Sequence, residues 1–151
     1  MIEVSDSVVI AREPADVFDV AADPERQLEW DPQTLSVEKL TPGPLGRGAR
    51  YRVEVKRLGV VEYEFPEFDR PVRFAHRGPV KVGDLYHTFE FEPVTGGTRL
   101  TQAIRAEPRG IGRLLRPVMA PMLRKLLRTL NTELKEHLEQ DGRPTSPEAT
   151  A

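Results

Sequence analysis

The 151-residue sequence predicts an α+β fold: a curved antiparallel sheet of about seven strands around one long C-terminal helix, with two short helices after the first strand. Three observations predict it. Apolar residues alternate with polar ones at a period of two across most of residues 34–107, as in strands with one covered and one wet face. One long stretch, residues 110–140, instead spaces its apolar residues three or four apart, the period of an amphipathic helix. The 14 prolines and 11 glycines fall mostly between these periodic segments, as turn residues do in a many-stranded protein. A sheet with one apolar face and a single helix to cover it buries both by curving around that helix.

Ile2, Val4, Val8 and Ile10 keep the period of two, so residues 2–11 read as a strand with one polar lapse at Asp6. Pro14 then suits the first turn of a helix, where its missing N–H costs nothing. Val17, Phe18 and Ala21 give that helix a short apolar stripe. Asp23-Pro24 opens a second short helix that ends near Trp30, and the pair reads as a wedge closing one end of the sheet. Leu35, Val37 and the nearby Leu40 mark the next strand, and Ala49, Tyr51, Val53 and Val55 the one after. Val61, Tyr63, Phe65 and Phe68 continue the pattern. Val72, Phe74 and His76 share a face, as do Leu85, His87, Phe89 and Phe91. Thr95-Gly96-Gly97 is a hairpin signal, followed by alternating Leu100, Gln102, Ile104 and Ala106. The helical stripe runs through Leu115, Met119, Met122, Leu126, Leu130, Leu134 and Leu138, with regular helix expected from Pro117 or Pro121 onward. These elements make residues 2–140 one expected domain, and 141–151, poor in apolar residues, an expected disordered tail.

Composition narrows the function classes. With no cysteine, disulfides and thiolate metal sites are excluded, and a reducing compartment suits the chain. The sequence shows no secretory signal and no apolar run of spanning length, so a cytoplasmic protein is expected. The net charge of −2 argues against nucleic acid as a partner. Charge is unevenly spread, however. Residues 1–104 carry 13 basic groups against 18 acidic, whereas residues 105–128 carry seven basic groups against Glu107 alone. That basic segment reads as a solvated helix face, a surface for anionic lipid, or a field steering an acidic or carrier-bound substrate. Its cations at the helix front, with Glu133, Glu136 and Glu139 at the back, oppose the helix dipole, at about 0.3–1 kcal/mol each.

The stretches "VVIAREPADVFDVAADPERQLEW" (8–30), "GPLGRGARYRV" (43–53) and "HTFEFEPVTGGTRLTQ" (87–102) resemble the START-like or SRPBCC superfamily of helix-grip proteins. Within it, the likeness is to the polyketide cyclase/dehydrase-like branch. The shared pattern is a strand, a Pro-initiated helix with Val-Phe, an Asp-Pro turn and Trp, a Gly-rich turn, and a Gly-Gly-Thr-Arg hairpin. It covers about residues 2–140. The resemblance implies a deep, mostly apolar cavity between sheet and C-terminal helix that takes lipids, sterols, polyketides, quinones or similar molecules. These motifs are architectural, and they carry no short catalytic signature onto this chain.

Candidate site residues therefore come from the residues themselves. His76 and His87 sit on faces expected to look inward. Each could orient a ligand carbonyl or act as general acid or base, or could be a hydrogen-bonded core or rim histidine. No third ligand accompanies them at metal spacing, so no metal is expected. Tyr51, Tyr63 and Gln102 place polar tips on apolar faces, as a ligand cavity or a plain core does. Phe74 and Phe89 add apolar wall, and Trp30 stands where the mouth is expected, to pack or to stack on a ligand. Met119 and Met122 offer an adaptable lining at the helix front, the expected entrance. The acidic groups around the short helices, Asp16, Asp19, Asp23, Glu25, Glu29 and Asp31, read as caps and solvated charges. "RGIGRL" lacks the third glycine of a dinucleotide fingerprint, and no cofactor is expected. The expected function is binding of a hydrophobic or aromatic small molecule by a monomer or homodimer. The alternatives are a polyketide cyclase or dehydratase, and a lipid or quinone chaperone touching a membrane through residues 109–128.

Overall fold

The computed structural model describes residues 1–80 and 83–141. The chain runs β1 (Ile2–Ile10), α1 (Pro14–Ala22), α2 (Gln27–Trp30), β2 (Thr34–Lys39), β3 (Arg50–Val55), β4 (Gly59–Asp69), β5 (Arg73–Val80), β6 (Gly83–Val94), β7 (Gly97–Pro108) and α3 (Arg116–Asp141). A 3-10 turn at Gly110–Arg113 joins β7 to α3. All seven strands form one antiparallel sheet in the order β1-β7-β6-β5-β4-β3-β2, a meander to which β1 adds at the free edge of β7. The expected tail lies, from residue 142 on, outside the described residues.

Local chemistry accounts for the turns that shape this sheet. Pro14 occupies the first turn of α1 and buries Val17, Phe18 and Ala21 beneath it. The Asp31 carboxylate stops α2 by accepting from the Gln33 N–H and the Thr34 hydroxyl, each at 3.0 Å. Gly97 has φ +146°, and a Cβ there would lie 2.0 Å from the Ile10 carbonyl oxygen, so only glycine lets the hairpin approach the end of β1. Register is reinforced on the convex face, where opposite charges stand across from one another. Arg52 bonds Glu62 at 3.0 Å and Glu38 at 2.8 Å, and Arg77 meets Glu64 at 3.2 Å. Each such exposed pair is worth about 0.2–1 kcal/mol, and all would be lost by a one-residue slip.

The concave face holds two apolar clusters. The larger joins Phe18, Trp30, Tyr51, Phe65, Phe74, Phe89, Phe91 and Leu100 to Leu134 and Leu138 of the back half of α3. The smaller joins Ile2, Val4, Ile104 and Ala106 to Met119, Leu123 and Leu127 of its front half. Fully burying a side chain such as Leu127 or Leu134 contributes about 1.5–3 kcal/mol.

Three expected placements are corrected. α3 begins at Arg116 and runs through Pro121, and its buried face carries Leu123 and Leu127; Met122 is 54% exposed. Met119, Leu134 and Leu138 of the expected stripe are buried, while between them the buried face shifts by one residue to Leu123, Leu127 and Asn131, with Leu126 and Leu130 packed at its border. Val72 lies in the β4–β5 turn, with its N–H bonded to Asp69 O at 2.7 Å, and is exposed rather than sharing the Phe74 face. In β2 a bulge between Thr34 and Ser36 turns Thr34 inward and Leu35 outward.

Candidate ligand-binding site

The orientation of α3 decides where a ligand could reach the concave face. Lys135 Nζ donates to Val9 O at 2.7 Å, and Glu139 accepts from Ala11 N at 3.1 Å, so that flank of the helix follows the outer edge of β1. The opposite flank, at helical spacing, carries Leu115, Val118, Met122, Leu126, Glu133 and His137. Its far end meets α2, with His137 Nε2 3.7 Å from Glu29. This flank therefore overlooks the middle strands, and its front residues, Leu115, Val118 and Met122, are exposed. Leu85, His87, His76 and Tyr63 form the floor beneath it, each only partly buried. These exposed apolar residues and the aromatic face of β4–β6 lie on the same, concave side of the sheet.

Alternation places the floor. His76 and His87 are directly paired across β5 and β6, with ring centroids 6.0 Å apart. Tyr63 stacks at a tilt on His76 at 4.2 Å, and His87 stacks on Phe89 at 4.3 Å. The β4–β5 register shifts between Glu64 and Glu67, and glycine at position 78 lets β4 pass close to β5: a Cβ there would lie 2.3 Å from Glu62 O. At the same place is a hollow of about 420 Å³ lined by Arg50, Glu62, Tyr63, Glu64, Arg77 and Gly78 among others. Its charges largely pair with one another, Arg50 with Glu62 and Arg77 with Glu64, and Tyr63 borders both this hollow and the concave floor.

Two polar atoms on the floor are buried without a partner among the described residues: Tyr63 Oη and His76 Nε2. Burial holds the His76 imidazole well below its usual range, with His87 adding to the effect, and raises the Tyr63 phenol. Both are neutral at pH 7. The His87 pKa is lowered to about 4 by burial, against the opposing pull of its bond to Gln102.

That bond opens a chain of side chains reaching the surface. His87 Nε2 lies 2.7 Å from Gln102 Oε1, Gln102 Nε2 donates to Asn131 Oδ1 at 2.6 Å, and Asn131 Nδ2 donates to Asp6 O at 3.2 Å and Asp6 Oδ2 at 2.9 Å. Gln102 and Asn131 are buried and lie between the two apolar clusters.

The expected site residues divide accordingly. Tyr63, His76, His87 and Gln102 come together at the floor or directly behind it. Phe74, Phe89, Tyr51 and Trp30 are 0–6% exposed and form a solid core backing the floor, so the wide end near α1 and α2 is packed with rings rather than hollow. Phe74 and Phe89 stack at 4.3 Å, and the Tyr51 pKa is pushed up to about 12, first by burial and then by Asp23 and Glu25. Met119 belongs to the smaller cluster, while Met122 lies on the rim. Sequence reasoning misses Asn131 and Asp6 as site residues. The available signals are the polar lapse that Asp6 makes in β1 and the polar Asn131 on the buried helical face.

This arrangement defines a START-like, helix-grip protein. Solved structures share the fold: TTHA0849 from Thermus thermophilus (TM-score 0.77, 23% identity, covering 94% of this chain and 100% of that one) and a START superfamily protein from Mycobacterium smegmatis (0.73, 21%, 91% and 97%). The chain belongs to the family described as polyketide cyclase / dehydrase and lipid transport, matched over residues 1–139. The uncharacterized proteins Rv2574 of Mycobacterium tuberculosis and Mb2604 of Mycobacterium bovis are each 29% identical to it over 132 residues, 82% of this chain and 79% of theirs.

Proposed function

We propose that this chain binds a hydrophobic or aromatic small molecule in the groove between the free flank of α3 and strands β4–β6. One observation carries the reading. Tyr63 Oη and His76 Nε2 are buried without a protein partner among the described residues, at the floor of an apolar groove. An unpaired buried polar group costs about 1–3 kcal/mol. Two of them together, under an exposed apolar rim, match a binding site that is mostly apolar with a few placed polar groups. The family description, which pairs cyclase or dehydrase chemistry with lipid transport, supports a hydrophobic ligand.

Native mass spectrometry of the purified protein is expected to show a co-purified hydrophobic molecule, lost in a Met122→Glu variant that charges the rim. Identical ligand occupancy in both proteins would overturn the groove assignment. A second reading is cyclase or dehydratase chemistry, which the family description names; with its pKa lowered to about 4, His87 is a weak base there and would act by accepting a hydrogen bond. His87→Phe and His76→Leu separate the two: a catalyst loses turnover of a polyketide-like substrate, whereas a carrier keeps its affinity within a few-fold.

A further inference from the structure

The chain from His87 to Asp6 has only one consistent direction. The backbone carbonyl of Asp6 can only accept, so the Asn131 amide must present its NH2 group there. Its Oδ1 then faces Gln102, which must answer with its own NH2 group, leaving Gln102 Oε1 as the atom toward His87. Reversing Asn131 would set acceptor against acceptor at Asp6, and reversing Gln102 would do the same at Asn131 Oδ1. His87 must therefore carry its proton on Nε2, and its Nδ1 is left with a lone pair that meets no donor among the described residues. The ring is desolvated yet keeps part of its surface accessible on the groove floor.

We propose that the Gln102–Asn131–Asp6 chain fixes His87 as a hydrogen-bond acceptor at Nδ1, so that the groove selects ligands bearing a hydroxyl donor, such as phenols or enols, over their ethers. The inference rests on the groove being the ligand site. Gln102 and Asn131 are positioning residues: they act on the ligand through His87. The neighbouring Tyr63 hydroxyl donates or accepts equally well and so does not discriminate. His87 does, because an imidazole held in one tautomer is a one-way partner, and an acceptor that a bound ether shuts off from water without supplying a donor is penalised.

The test uses the full chain and three probes: 2-naphthol, 2-methoxynaphthalene and naphthalene. Long-range 1H–15N spectra of the free protein at pH 7 are expected to show His87 protonated at Nε2 alone; an Nδ1–H signal overturns the proposal without any variant. In titrations followed at His76 and His87, 2-naphthol is expected to bind about tenfold more tightly than its methyl ether, the worth of one hydrogen bond in a desolvated site. In Gln102→Leu the preference is expected to fall below about threefold, and a preference kept at about tenfold overturns the positioning role. If the phenol and the ether bind wild type equally, the groove stands and donor selection falls. If no probe moves these resonances, the groove assignment fails and the inference with it.

Discussion

Cutting the chain between His87 and Asp6 at two places tests whether it acts as a unit in folding. Gln102→Leu leaves two buried groups without partners, His87 Nε2–H and Asn131 Oδ1. At about 1–3 kcal/mol for each orphan, the expected loss is about 2–6 kcal/mol. Asn131→Leu orphans the Gln102 NH2 group alone, since Asp6 is partly exposed and reaches water, and costs about 1–3 kcal/mol. The double variant removes Gln102 and Asn131 together and leaves only His87 Nε2–H unpaired, for about 1–3 kcal/mol. The double variant is therefore expected to be at least about 2 kcal/mol more stable than the two single losses added together. Urea unfolding at pH 7.5 measures this through midpoints at constant m-value. Additivity within about 0.5 kcal/mol would refute the coupled chain.

Acid should act through the histidines before the carboxylates. With His87 lowered from 6.5 to about 4 in the fold, both states are neutral above about pH 6.5 and stability is complete. As pH falls toward 4 the unfolded chain takes up a proton that the native ring refuses, and His87 alone costs about 3 kcal/mol. His76 is shifted in the same direction. Urea midpoints between pH 4.5 and 7.5 should fall less steeply in His87→Phe, and parallel profiles would disprove the shift. The shift in the buried face of α3 is tested by a pair of truncations. Leu127→Ala, at a fully buried position, should cost about 2–5 kcal/mol, and Met122→Ala on the rim less than about 0.5 kcal/mol. Equal losses would place the helix face wrongly.

The fold was legible wherever period and turn chemistry agreed. Alternation located the strands, with Leu35 and Val72 misassigned, and Pro14 placed α1, while the helix expected to open at Asp23-Pro24 begins at Gln27 after a turn. The helix front was harder. Met122 and Leu126 are as apolar as Leu123 and Leu127, so the sequence offers two overlapping stripes there, and only packing on β1 and β7 selects one. The same ambiguity marks the groove: the exposed Met122 of the second stripe lies on its rim, while Leu126 packs against the smaller cluster. His76, His87, Tyr63 and Gln102 stood out as polar residues at inward positions. Asn131 and Asp6 did not stand out as site residues, because their role depends on contacts 29 and 125 residues apart in the chain.

The polar seam between the two apolar clusters also divides α3 mechanically. Its back half is anchored in the larger aromatic cluster, while its front half rests on the smaller one formed with β1, β6 and β7. Pro121 removes one backbone bond from that front half, leaving the Pro117 carbonyl without its helical donor. Amide protons of residues 122–127 should thus exchange through a local opening of lower free energy than those of 131–138, which exchange by global unfolding. A guest would then reach the floor by lifting one end of the helix on its hinge, with the sheet left closed.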